Sequence, residues 1–168
     1  LGGTRKGAQR QLPALLGELG ARSLIDAPCG DFNWMRHTPL NLDSYIGIDI
    51  VEVERIASAI ERHGESFLAK IFTMEERAYC DASKNPAIHY AARFAAKEAV
   101  SKSLGTGIGG NAGLHDMEVI HDALGAPKIR LAGAARAFSD ERGISEIQIS
   151  LTHSKQYAAA NAIALVDH

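Results

Sequence analysis

Apolar and polar positions along the chain recur at two periods, and each switch between them marks an element. Leu12, Leu15, Leu16 and Leu19 are spaced as one helical face and predict a short helix over residues 9–19, with Pro13 in its first turn. The run Ser23-Leu24-Ile25-Asp26-Ala27 reads as a strand closed by Pro28-Cys29-Gly30-Asp31. A second strand is expected over 44–51, a candidate parallel neighbour of the first. An amphipathic helix follows over 53–62. Another begins at Thr73, where Glu76 completes a capping box. Residues 86–104 predict the longest helix, rich in Ala and stopped by Gly105 and Gly107. Beyond it, strands over 117–121 and 128–131 are joined through Leu124-Gly125-Ala126-Pro127, a hairpin signal. A helix over 134–142 ends at Gly143. The alternation Ile147-Gln148-Ile149-Ser150-Leu151 and the apolar run 157–166 are set to close as a final hairpin. Antiparallel hairpins with separate helices after residue 45 indicate an α+β fold rather than a doubly wound sheet.

Composition narrows the function classes. The chain has 168 residues, 46% hydrophobic and 23% charged, enough for one domain with a proper core. Its formal net charge of -2 gives no global basic field, so we expect neither nucleic acid nor a membrane as partner. Cys29 and Cys80 show no CxxC or Cys/His spacing, which argues against a zinc site and a disulfide framework. No hydrophobic signal core or spanning run is visible, and the chain reads as cytoplasmic.

Three segments carry chemistry. Gly47-Ile48-Asp49-Ile50-Val51 places a carboxylate in the middle of an apolar strand, where it needs a partner. Arg93-Phe94-Ala95-Ala96-Lys97-Glu98-Ala99-Val100-Ser101-Lys102 sets Glu98 and Lys102 four apart on one helical face, with Arg93 and Lys97 nearby. Ser150-Leu151-Thr152-His153 ends a strand on an imidazole. Singly, each has an ordinary explanation. Asp49 would cap the next helix, Glu98–Lys102 would be a solvated ion pair, His153 a surface histidine, and the glycines a helix stop.

Together they resemble a family. IGIDIVEVERI, ARFAAKEAVSKSLGTGIG, GAPKI and ISLTHSKQYAAANAIAL occur in the order and at roughly the spacing of bacterial holo-acyl-carrier-protein synthases, over about residues 45–166. The resemblance implies a 4′-phosphopantetheinyl transferase-like antiparallel sheet with a long central helix. It implies transfer of phosphopantetheine from coenzyme A to a serine of an acyl carrier protein, in support of fatty acid biosynthesis. Asp49 and Glu98 would then hold magnesium, a cation that favours hard oxygen ligands. Lys102 would stand near the leaving group, Arg93 and Lys97 on coenzyme A phosphates, and His153 on the nucleotide or the reacting groups. The amides of the Gly105-Thr106-Gly107 loop would approach phosphate. The serine's base would be a metal-bound water or a carboxylate. The carrier would dock on Arg55, Arg62 and Lys70. Members assemble as trimers with sites at subunit interfaces, so one chain would hold half a site.

About 44 residues precede this region. Helix, SLIDA strand, PCGDFNW loop and YIGIDI strand resemble the start of a class I S-adenosylmethionine-dependent methyltransferase. That resemblance places Asp26, Gly30 and Asp31 near cofactor and makes Asp49 a ribose ligand. Residues 1–44 are therefore expected to be a short α/β appendage, and 45–168 the transferase domain. The alternative is an inactive hybrid or an S-adenosylmethionine-binding methyltransferase fragment.

Overall fold

A sheet of four strands in the order β1-β2-β6-β5 forms the body of the protein: β1 (Ser23–Asp26), β2 (Ser44–Glu52), β5 (Ile144–His153) and β6 (Tyr157–Val166). The structure, a computed structural model, describes residues 5–26 and 42–166, with side chains from 11–25 and 42–166. β6 runs antiparallel to both neighbours, pairing Gly47 with Ala162, Asp49 with Ala160 and His153 with Ala158. β1 lies parallel to β2, from Ser23↔Ser44 to Asp26↔Gly47, as the sequence suggested. Arg22 and Asp43 form an ion pair beside that pairing. The first segment thus belongs to the same sheet by backbone hydrogen bonding. Helix α1 (Arg5–Glu18) starts earlier than expected, so Pro13 lies in its interior rather than its first turn. Gly30 and Asp31 lie outside the described residues.

The long helix α4 (Pro86–Ser103) crosses one face of the sheet. Alternation turns Gly47, Asp49 and Val51 of β2 and Ala158, Ala160, Ala162 and Ala164 of β6 toward it. The helix answers with Ala91, Ala92, Ala95, Ala96 and Ala99, all buried. Small side chains on both sides let backbone approach backbone, and dispersion contacts accumulate along the seam. The opposite face, carrying Ile46, Ile48, Ile50 and Ile163, has no helix of the described residues over it.

Helix α2 (Val53–Ile71) leaves β2 directly and is broken at Gly64, whose φ of 54° takes it out of helical geometry. Helix α3 (Met74–Asp81) opens on the expected capping box: Thr73 Oγ1 accepts the Glu76 N–H and Glu76 accepts the Thr73 N–H. β3 (Met117–His121) and β4 (Pro127–Leu131) form the expected hairpin, and α5 (Gly133–Glu141) precedes β5.

One buried ionic node ties these parts to α4. Lys97 Nζ pairs with Glu76 at 2.7 Å and donates to the carbonyls of Ile71 at 3.0 Å and Leu114 at 2.6 Å. Glu76 also accepts the Val119 N–H at 3.0 Å. The end of α2, the cap of α3, the turn before β3 and β3 itself thereby meet at one ion pair.

Candidate active site

The end of the sheet where β2 and β5 finish gathers the chemistry-bearing residues. Asp49 points from β2 to α4 and pairs with Lys102, Oδ1 to Nζ at 2.8 Å, while the same ammonium donates to the Ile48 carbonyl at 2.9 Å. Both side chains are mostly shielded, at 14% and 9% exposure, so this pair is stronger than a solvated one. Asp49 does not cap α2; the cap position is Glu52, which makes no capping side-chain bond. The recorded partner of Lys102 is Asp49 and not the i−4 carboxylate Glu98. Glu98 stands half-buried beside them. Burial, and then the neighbouring charge of Asp49, push its carboxyl above the usual carboxylate range, against the opposing pull of Lys102 and Arg55. Two carboxylates thus stand together at the crossing, and the charge of Asp49 raises the cost of ionising Glu98. That is the donor set a hard divalent cation fits: two oxygen ligands with room left for water and phosphate. No group of three or more His, Cys, Asp or Glu side chains suited to a metal occurs among the described residues.

A second cluster surrounds Arg93. Its guanidinium lies over the Tyr79 ring at 4.0 Å, buried, and its Nε has no hydrogen-bond partner. Tyr79 stacks on His121 at 4.6 Å and meets His89 edge-on at 5.8 Å, and His89 meets His153 at 5.4 Å. His153, exposed at the end of β5, is thus joined to Arg93 through rings that the sequence reading did not single out. The only signal available was His89 four residues before Arg93 on one helical face. Burial lowers the affinity of His89 for a proton, with His153 and Arg93 adding to it, and burial and then Arg93 do the same for His121. A depressed histidine supports the fold when neutral, so stability should hold above about pH 6.5 and decline as pH falls below it. Melting temperatures measured between pH 8 and 5 should show that decline in the wild type, and a His89→Phe, His121→Phe protein should show a shallower one.

Several expected site residues lie elsewhere. Lys97 is wholly enclosed in the ionic node, so its ammonium cannot meet a phosphate at the surface. The loop after α4 is a helix stop: the amides of Gly105, Thr106 and Gly107 donate to the carbonyls of Lys102 and Ser101, and Thr106 Oγ1 also turns inward to Ser101. Those amides are engaged with the end of the helix. Arg55 and Arg62 are exposed two turns apart on the first half of α2, whereas Lys70 lies beyond the Gly64 break and out of phase with them. Asp49 is engaged with Lys102, which leaves the ribose-ligand expectation without support. Cys80 is buried and unpaired, its thiol pushed up to about 12 by burial first of all.

Residues 45–162 match the family model of the 4′-phosphopantetheinyl transferase superfamily. The chain belongs to that superfamily. This transferase is 48% identical over 123 residues to the holo-[acyl-carrier-protein] synthase of Ruminiclostridium cellulolyticum, covering 73% of the chain and 92% of that protein. To the synthase of Chlamydia felis it is 47% identical over 123 residues, covering 73% and 98%. Its fold is similar to the crystal structure of the Neisseria meningitidis synthase, with a TM-score of 0.67 and 35% identity over 71% of this chain and 95% of that one. The Helicobacter pylori synthase, solved in complex with coenzyme A, gives a TM-score of 0.64 and 30% identity over 71% and 98%. The α+β architecture expected of this transferase is therefore the one found. No helix among the described residues is long and apolar enough to cross a membrane.

Proposed function

We propose that this transferase moves the 4′-phosphopantetheine arm of coenzyme A onto a serine of an apo acyl carrier protein. The observation that carries the proposal is the Asp49–Lys102 pair with Glu98 beside it, at the crossing of β2 and α4. Similarity to synthases, one of them bound to coenzyme A, supports the donor. The serine Oγ gives up its proton to a water or a carboxylate and attacks the phosphorus nearest the pantetheine; that oxygen–phosphorus bond forms, the pyrophosphate bond breaks, and 3′,5′-adenosine bisphosphate leaves. Asp49 and Glu98 would hold magnesium, which when bound supplies charge stabilisation at the phosphoryl oxygens. Lys102, fixed by the Ile48 carbonyl and Asp49, points its charge to the same place and would steady the leaving phosphate. Arg93 would offer a desolvated guanidinium, and His153 an exposed imidazole, to the remaining phosphate of the nucleotide. Arg55 and Arg62 would orient an acidic carrier by charge.

We further propose residues 45–168 as the transferase domain and 1–44 as an appendage that lends it β1. The open sheet face fits self-association into a trimer. Ile163 lies in its middle, paired on either side with Ile46 and Gln148, so Ile163→Asp should convert a trimer to monomer by light scattering. An unchanged mass would place the interface elsewhere. Transfer itself is tested by the mass of an apo acyl carrier protein after incubation with this chain, coenzyme A and magnesium. A gain of one phosphopantetheine that a chelator prevents is expected; no gain would reject the reaction for this chain.

A further inference from the structure

α4 approaches the sheet at Gly47 more closely than any side chain would permit. A Cβ placed there would lie 2.1 Å from the Ala99 carbonyl oxygen and 2.8 Å from both the Lys102 Cβ and the Ser103 amide nitrogen. Two of these three atoms are helix backbone, which cannot swing aside as the end of a long side chain does. Gly47 is not among the glycines with positive φ, so what the position demands is space and not an unusual backbone conformation. The turn of α4 that rests on Gly47 is the one carrying Lys102, and Glu98 directly precedes Ala99 in it. Asp49 stands two residues further along β2 on the same face. Nothing between the two backbones can absorb a change, because Ala162, the register partner of Gly47 on β6, is also fully buried.

We infer that Gly47 is a positioning residue for the reaction: by fixing the height of α4 above β2 it fixes the separation of Asp49 and Glu98. The inference rests on the reading of those two carboxylates as cation ligands. Relieving a 2.1 Å contact requires α4 to rise by on the order of 1 Å, a displacement large enough to cost about a hundredfold where reacting groups must be aligned. Magnesium demands near-ideal octahedral geometry with short bonds, whereas calcium accepts longer bonds and irregular ligand sets. A lifted helix therefore discriminates between the two cations.

The test is calorimetric titration of the full chain with Mg2+, and separately with Ca2+, in saturating coenzyme A. Wild type should bind Mg2+ and Asp49→Asn should lose it; if it does not, the carboxylate reading falls and this inference with it. Gly47→Ala should weaken Mg2+ by at least about tenfold and Ca2+ by much less. Wild-type Mg2+ affinity in Gly47→Ala, with Asp49→Asn still deficient, overturns the role of Gly47 alone. Val51→Ala, a cavity in the same strand, should leave both affinities unchanged; an equal loss there would mean general loosening and also overturn it. Ala162→Val lifts the same turn from the adjacent strand and decides the matter if Gly47→Ala does not fold: selective Mg2+ loss supports the inference and equal affinity overturns it.

Discussion

Asp49→Asn should lower phosphopantetheine transfer by roughly two to three orders of magnitude while leaving the melting temperature within a few degrees of wild type. The substitution keeps the size and shape of the side chain and an oxygen able to accept from Lys102. It removes the negative charge. Lys102 retains the Ile48 carbonyl at 2.9 Å, so the helix stays docked and the effect on folding is small. What changes is the electrostatic balance at the β2–α4 crossing: the ammonium is no longer neutralised, and a cation there meets one carboxylate instead of two. Glu98→Gln should behave alike, because it too removes one of the two carboxylates a cation would meet there. Rates at several magnesium concentrations, with thermal melts of the same samples, would separate the effects. Near-normal turnover in either variant would remove the site from this crossing.

Lys97→Met should be strongly destabilising, costing about 3–5 kcal/mol. The methionine fills most of the lysine's volume, yet it leaves the Glu76 carboxylate buried beside no counter-charge. It also strips the Ile71 and Leu114 carbonyls of their donor. Burial already lowers the ammonium's affinity for its proton, and Glu76 is the largest influence opposing that shift. Adding Glu76→Gln removes the stranded charge and keeps an acceptor for one of the two amides, Val119 or Thr73, that the separate carboxylate oxygens take, so the double variant should recover part of the loss. Urea titrations of the four proteins measure the coupling. A loss below about 1 kcal/mol in Lys97→Met would mean that the node does not hold α4 in place.

A shallower stability decline in the double histidine variant and a monomer on Ile163→Asp would test the ring cluster and the open face in the same way. Those features were not equally visible beforehand. Strand and helix periods, the Thr73–Glu76 cap and the turn at Leu124–Pro127 are local, and each acts within a few residues of its own signal, so the elements could be read directly. The chemistry-bearing segments could be read too, because residue type and order survive without coordinates.

The placement of individual side chains is another matter, and the helix Arg93-Phe94-Ala95-Ala96-Lys97-Glu98 shows why. Adjacent residues on a helix differ by about 100° in direction, so Lys97 and Glu98 cannot share a fate, and the docking angle against the sheet decides which one is buried. A sequence of mixed Ala and charge does not announce that angle. Lys102 offered Glu98 as a local partner, yet its ammonium went to Asp49, 53 positions away, because tertiary packing brought β2 under that turn. Gly105 to Gly107 carried the composition of a phosphate loop, and only the hydrogen bonds of their amides showed a helix stop. By itself the sequence determined the elements, the α+β class and the segments that supply candidate residues, though not His89 and His121 beside them. The tertiary structure alone decided which charges face each other and how close β2 and α4 come, since both depend on contacts between segments far apart in the chain.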